Sequence, residues 1–226
     1  MRRCMPPAAA LFDNDGLTLD TERAWTRAEH ALFARYGQTF TMDHKRELLG
    51  TAPDASAVKL ERMLGQPGPA LSDELYDLAV EEVARSAEPM PGAVSLLDAL
   101  AQAGIPVGLV SNARRRFVEP GLRAAGLHEA FAVIVTADDV ARPKPAPDPY
   151  LAAAAALGVD PTACAVLEDS PTGLAAGRAA GALTIGIPSL PGLALEADVI
   201  AASLEDPAVW QALGLEAVGR RRAGLT

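Results

Sequence analysis

The chain has 226 residues, half of them apolar and 22% charged, which suits one large domain or a core carrying a smaller one. Its net charge of −9 disfavours nucleic acid and membrane surfaces as partners, and any phosphate site must bring its own local positive charge. Two cysteines, Cys4 and Cys164, give neither a disulfide framework nor a zinc spacing, and no apolar run reaches signal-peptide or membrane-span length, so a cytoplasmic protein is expected.

In chain order, residues 8–12 (AAALF) form a short apolar run that stops at Asp13, as a buried strand with a polar end does. Helical spacing over 22–36 puts Trp25, Ala28, Leu32 and Phe33 on one side, and Gly37 ends it. Further helices are predicted near 42–49, 54–65 and 72–87, the last two parted by Gln66-Pro67-Gly68-Pro69. No strand is expected between about 20 and 90. From Pro91-Gly92 onward the pattern alternates. Helices are predicted at 93–103, 114–125, 147–157 and 171–180, and strands at 106–110, 132–136, 163–167 and 182–187. This predicts an α/β fold, a Rossmann-like parallel sheet with helices on both faces, interrupted by an all-helical insertion.

The reactive side chains fall where strands end, the edge at which open parallel sheets bind ligands. Asp13 and Asp15 follow the first strand two residues apart, pointing the same way, and Gly16 then lets the chain turn. Two such carboxylates repel and call for a cation or a shared proton. Ser111-Asn112 lies between a strand and a helix, where a hydroxyl, an amide and free N–H groups can hold phosphate. Lys144 sits among prolines that stiffen its loop, and its ammonium suits a phosphoryl oxygen and the Asp13 carboxylate. Glu168-Asp169, after a later strand, offers oxygens to Mg²⁺. Each motif alone has a structural reading as a turn, a helix cap or a surface lysine; their joint order and strand-end placement is what singles them out.

The ensemble resembles the haloacid dehalogenase superfamily, and most of all its phosphatases of the beta-phosphoglucomutase type with a small helical cap. The four motifs are matched by Asp13-Asn14-Asp15-Gly16, Ser111, Lys144 and Glu168-Asp169, and the strings FDNDGLTLDTE (12–22) and KPAPDP (144–149) are also typical. The resemblance covers residues from about 8 to 190. It implies a core of residues 1–18 plus 91–226 and a cap at 19–90. It implies Asp13 as nucleophile, forming an aspartyl phosphate, and Asp15 as proton donor and then base. Ser111 and Lys144 would bind phosphate, beside the Asn112 amide already read as a candidate phosphate contact, and Mg²⁺ would be held by Asp13, the Asp15 carbonyl and Asp169 with Glu168 close by. Glu22 and Arg23 open the cap and are candidate substrate contacts. The implied activity is Mg²⁺-dependent hydrolysis of a small phosphorylated metabolite such as a sugar phosphate, by a monomer or weak dimer.

Three rivals are weighed against that expectation. Dehalogenase members lack the second aspartate, so Asp15 and Asp169 point to phosphate esters. Phosphosugar mutases carry a His where alignment places Trp25, and basic residues where this chain reads Leu49-Gly50-Thr51-Ala52-Pro53-Asp54. From another class, receiver-type signalling domains use similar groups, but with the acceptor on a later strand, about half the length and no helical insertion. Other features have plainer readings. Gly173, Gly177 and Gly181 read as close helix packing, Arg114-Arg115-Arg116 and Arg220-Arg221-Arg222 as solvated faces, and Asp138-Asp139 as a turn. His30, His44 and His128 show no metal spacing.

Overall fold

Alternation along the first strand divides the core in two. Strand β1 (Ala9–Phe12) sends Ala10 and Phe12 into one buried cluster and Ala9 and Leu11 into another. The structure is a computed structural model that describes residues 6–48, 53–189 and 193–215. After β1 come four helices, α1 (Glu22–Arg35), α2 (Met42–Leu48), α3 (Pro53–Leu64) and α4 (Gly68–Ser86). The alternating part follows as α5 (Ala93–Gln102), β2 (Val107–Val110), α6 (Arg115–Ala124), β3 (Val133–Val135) and α7 (Asp148–Leu157). It ends with β4 (Cys164–Glu168), α8 (Pro171–Ala179), β5 (Leu183–Gly186), β6 (Val199–Ile200) and α9 (Pro207–Ala212).

The six strands form one sheet in the order β3-β2-β1-β4-β5-β6, and every pairing is parallel. Helices α5, α6 and α9 pack on the face that holds Phe12, while α7 and α8 cover the face that holds Leu11. The α/β architecture with helices on both faces is therefore as the sequence predicts. Among the described residues no helix is long and apolar enough to cross a membrane.

Register is what assembles the site. Phe12 lies beside Leu109 on one side and Leu167 on the other. The residues just beyond, Asp13, Ser111 and Glu168, thus emerge at one edge. Asp13 N–H donates to Leu167 O at 3.0 Å and Ser111 N–H to Val135 O at 2.9 Å, carrying the ladder one step past the strands. The inserted helices leave and rejoin the core through two backbone hydrogen bonds, Asp20 N–H to Glu88 O and Met90 N–H to Thr18 O, each 2.9 Å. Helix α4 packs against α1, α3 and the core helix α6.

Three details differ from the predicted elements. Helix α4 starts at Gly68 rather than 72, because Pro69 stands in its first turn, where a missing N–H costs nothing. Strand β6 and helix α9 were not anticipated. A two-residue strand carries no periodicity to read, but Asp206 before Pro207 is a start signal, and its carboxylate accepts from Ala208 N–H at 2.9 Å. The basic-residue-free loop at 49–52, Cys4 and Arg220-Arg221-Arg222 lie outside the described residues.

Gly177 earns its place by packing. A Cβ there would stand 2.8 Å from Val166 Cγ1 and 3.3 Å from Thr184 Cγ2, so α8 lies directly on β4 and β5. Gly177→Val should therefore lower stability by about 1–3 kcal/mol through overpacking, read as a lower urea midpoint with an unchanged slope.

Candidate active site

Lys144 is the hub of the strand-end cluster. Its side chain is buried, and the ammonium donates to Asp13 Oδ1 at 2.6 Å, Glu168 Oε1 at 2.6 Å and the Val110 carbonyl at 2.7 Å. Those three bonds use all three ammonium protons. Its backbone is held as firmly. Asn112 Oδ1 accepts from Lys144 N–H at 2.9 Å, and Asn112 Nδ2 donates to Lys144 O at 3.0 Å. Asn112, read from the sequence as a phosphate contact, thus has both ends of its amide on the Lys144 backbone.

Glu168, at the end of β4, is fully buried and accepts four hydrogen bonds. Lys144 and the Tyr150 hydroxyl, the latter at 2.7 Å, meet Oε1, and the Ser170 hydroxyl (2.9 Å) and Ser170 N–H (3.2 Å) meet Oε2. Ser170 also caps α8, accepting from Gly173 N–H at 3.0 Å. A Cβ on Gly173 would coincide with the Glu168 carboxylate. Gly173 is therefore glycine to leave room for a charge, a role beyond the helix packing read from the sequence. Gly16 does the same beside Asp169: its φ of +80° is left-handed, and an added Cβ would press on Asp169 Oδ2.

Asp15 faces Ser111, whose hydroxyl donates to its Oδ2 at 3.2 Å, while Asp15 Oδ1 is buried with no hydrogen-bond partner. Asn14 between the two aspartates is wholly buried and its amide is unpartnered. Oxygens of Asp13, Glu168 and Asp169 all lie within 4.8 Å of one another, a grouping able to hold a metal ion.

The electrostatics follow from burying more negative than positive charge. Asp13 has its pKa raised well above the usual carboxylate value, first by burial and then by Glu168, with Lys144 opposing. Asp169 is pushed up to about 6 by burial and by Glu168 and Asp15. Asp15 is raised by burial; the neighbouring polar side chains of Thr21, Asn14 and Ser111, and then the charge of Lys144, hold it back. Burial disfavours the Lys144 charge, but Asp13 and Glu168 outweigh that and its pKa is raised.

Other candidates stand apart from the cluster. Glu22 pairs with Lys45 at 2.6 Å, and Arg23 pairs with Asp20 at 2.9 Å and Glu88 at 3.2 Å beside the crossing segments. Arg115 bonds Glu119 and Asp139, and Arg116 bonds Asp77 of α4. Trp25 stacks on Phe117 at 5.5 Å and meets Tyr76 edge-on. Sequence reasoning missed Tyr150, which reads as one more core aromatic of α7. It also missed Thr18, whose hydroxyl donates to the Asp13 carbonyl at 2.5 Å.

Comparison with known proteins places this geometry. The family model for haloacid dehalogenase-like hydrolases matches residues 7–181. The chain is 36% identical over 185 residues to the putative phosphatase YhcW of Bacillus subtilis, covering 80% of this chain and 83% of that protein. It is 34% identical over 179 residues to validoxylamine A 7'-phosphate phosphatase of Streptomyces hygroscopicus subsp. limoneus, covering 79% and 84%. Among solved structures, CbbY from Rhodobacter sphaeroides in complex with phosphate superposes with a TM-score of 0.73 at 29% identity, covering 88% of this chain and 95% of that one.

Gly173→Ala should push the Glu168 carboxylate away from Lys144. Phosphate release from a phosphomonoester is expected to fall about 10–100-fold, as for other losses of a supporting contact at such sites, measured by steady-state kinetics on folded protein.

Proposed function

The chain belongs to the haloacid dehalogenase-like hydrolases and is a phosphoric monoester hydrolase, and on that basis we propose that it works through an aspartyl phosphate on Asp13 with Mg²⁺ as cofactor. The observation that carries this reading is the Lys144 ammonium, 2.6 Å from Asp13, beside the oxygens of Glu168 and Asp169.

The residues suit a hard divalent cation. Oxygens of Asp13, Glu168 and Asp169 lie within 4.8 Å of one another, with Lys144 paired to Asp13 and Glu168, so three carboxyl groups share one ammonium and every candidate ligand atom is oxygen. Asp13, Asp169 and the Asp15 backbone carbonyl would hold the ion, with Glu168 close by. When bound, the cation would neutralise charge on the phosphoryl oxygens.

This chain's own groups then divide the work. An Asp13 oxygen attacks phosphorus while the bond to the leaving oxygen breaks, and Asp15 gives that oxygen its proton. Burial supports a protonated Asp15, and its unpartnered Oδ1 is free to meet the incoming oxygen. Asp15 next takes a proton from water, whose oxygen attacks the same phosphorus and frees Asp13 and inorganic phosphate. Ser111 and Lys144 would hold the phosphoryl oxygens, Lys144 by turning the N–H now on Asp13 Oδ1 to the transferred group. Residues 19–90 would serve as the cap over the core of 1–18 and 91–226. The relative that acts on validoxylamine A 7'-phosphate supports a sugar phosphate or similar small metabolite as substrate.

A phosphate-release screen over phosphorylated metabolites should show repeated turnover that needs Mg²⁺, and Asp13→Asn should abolish it with the fold intact. Near wild-type turnover by that variant would sink the nucleophile assignment.

The pH response has a definite sign. A carboxyl raised to about 6 in the folded metal-free protein holds its proton more tightly than when unfolded, so it lowers stability as pH climbs from its unfolded value through 6. A bound cation relieves that repulsion only once the proton has left. The rise in melting temperature caused by Mg²⁺ should therefore be larger at about pH 7.5 than at about pH 5, and thermal denaturation at both values checks it.

A further inference from the structure

One buried hydroxyl at the site has no part in the chemistry above. Tyr150, in the first turn of α7, is fully buried, and its OH donates to Glu168 Oε1 at 2.7 Å. The same oxygen takes the Lys144 ammonium at 2.6 Å, and that ammonium lies 5.0 Å from the centre of the Tyr150 ring. The apolar part of Tyr150 belongs to the buried cluster that includes Leu11, Val110 and Val166, a place that a phenyl ring would fill as well. The hydroxyl adds only the bond to Glu168.

That bond bears on a choice open to Glu168. Its oxygens lie close enough to those of Asp13 and Asp169 to join them around a cation. They also form the counter-ion of Lys144. One carboxylate cannot serve both fully, because turning toward a dication takes Oε1 from the ammonium. With Tyr150 and Lys144 on Oε1 and the two Ser170 donors on Oε2, Glu168 accepts four hydrogen bonds, about what two carboxylate oxygens can take.

We propose that Tyr150 is a positioning residue whose hydroxyl pins Glu168 to Lys144, so that Glu168 aims the ammonium at Asp13 instead of moving to the cation. The proposal rests on the roles given above to Asp13, Lys144 and Mg²⁺. It deepens that reading by naming what keeps the two positive charges of the site on separate partners.

Tyr150→Phe isolates the hydroxyl. With p-nitrophenyl phosphate, kcat should fall about 10–100-fold while KM changes less than about threefold, as when a contact that acts in the transition state is lost. Mg²⁺ binding to the substrate-free variant, measured by calorimetry, should be as tight as in the wild type or tighter, because Glu168 is released toward the ion. A kcat within about twofold of wild type would overturn the proposal. So would a parallel fall in kcat, Mg²⁺ affinity and melting temperature, which marks a purely structural tyrosine. Wild-type protein that releases no phosphate with Mg²⁺ would instead remove the underlying functional reading, so the two failures are told apart by the control alone.

Discussion

The structure depends on one buried ammonium set among carboxylates from distant parts of the chain. Lys144 bonds Asp13 across 131 residues, the Val110 carbonyl across 34 and Glu168 across 24. An ion pair in such surroundings is a poor source of net stability, since desolvation offsets the attraction, but leaving one partner alone costs about 3–5 kcal/mol. Every element around it therefore works to keep the set complete. The parallel register brings the three strand ends level, Asn112 clasps the Lys144 backbone on both sides, and α7 presents Tyr150 from behind.

Clearance matters as much as contact. Glu168 lies against the first turn of α8, where free N–H groups favour negative charge, and Ser170 supplies one of them directly. The carboxylate fits there because Gly173 has no side chain. Gly16 gives the same room to Asp169 while turning the chain with a positive φ. The motif glycines thus set where the charges can stand.

The sequence made the sheet and its reactive edge legible because short apolar runs end abruptly at Asp13, Ser111 and Glu168, and such stops need no tertiary information. The Asn112 clasp was illegible, since an amide at a helix start looks the same whether it faces a ligand or another loop's backbone. Tyr150 was hidden for a related reason: in an apolar helix an aromatic reads as core, and only its partner reveals the use of its hydroxyl. Three glycines spaced by four residues looked alike yet differ in the fold. Gly173 clears a carboxylate, Gly177 seats α8 on the sheet, and Gly181 ends the helix region with a φ of +82°. Spacing tells that small residues share a helix, not what each of them meets.

The segment between the nucleophile and the inserted helices closes on itself. Thr18 N–H and Leu19 N–H both donate to the Asn14 carbonyl, Gly16 N–H donates to Leu19 O, and the Thr18 hydroxyl reaches back to the Asp13 carbonyl. The paired crossing to 88–90 starts from that same closed loop. Beyond it, the insertion meets the core through side chains and helix packing, with Arg116 against Asp77 and Arg114 N–H on the Tyr76 hydroxyl. The backbone of Asp13 is thus held by bonds that lie wholly on the core side of the crossing. The charged centre is therefore tied to the strand ends by its own hydrogen bonds, apart from the contacts that join the inserted helices to the core.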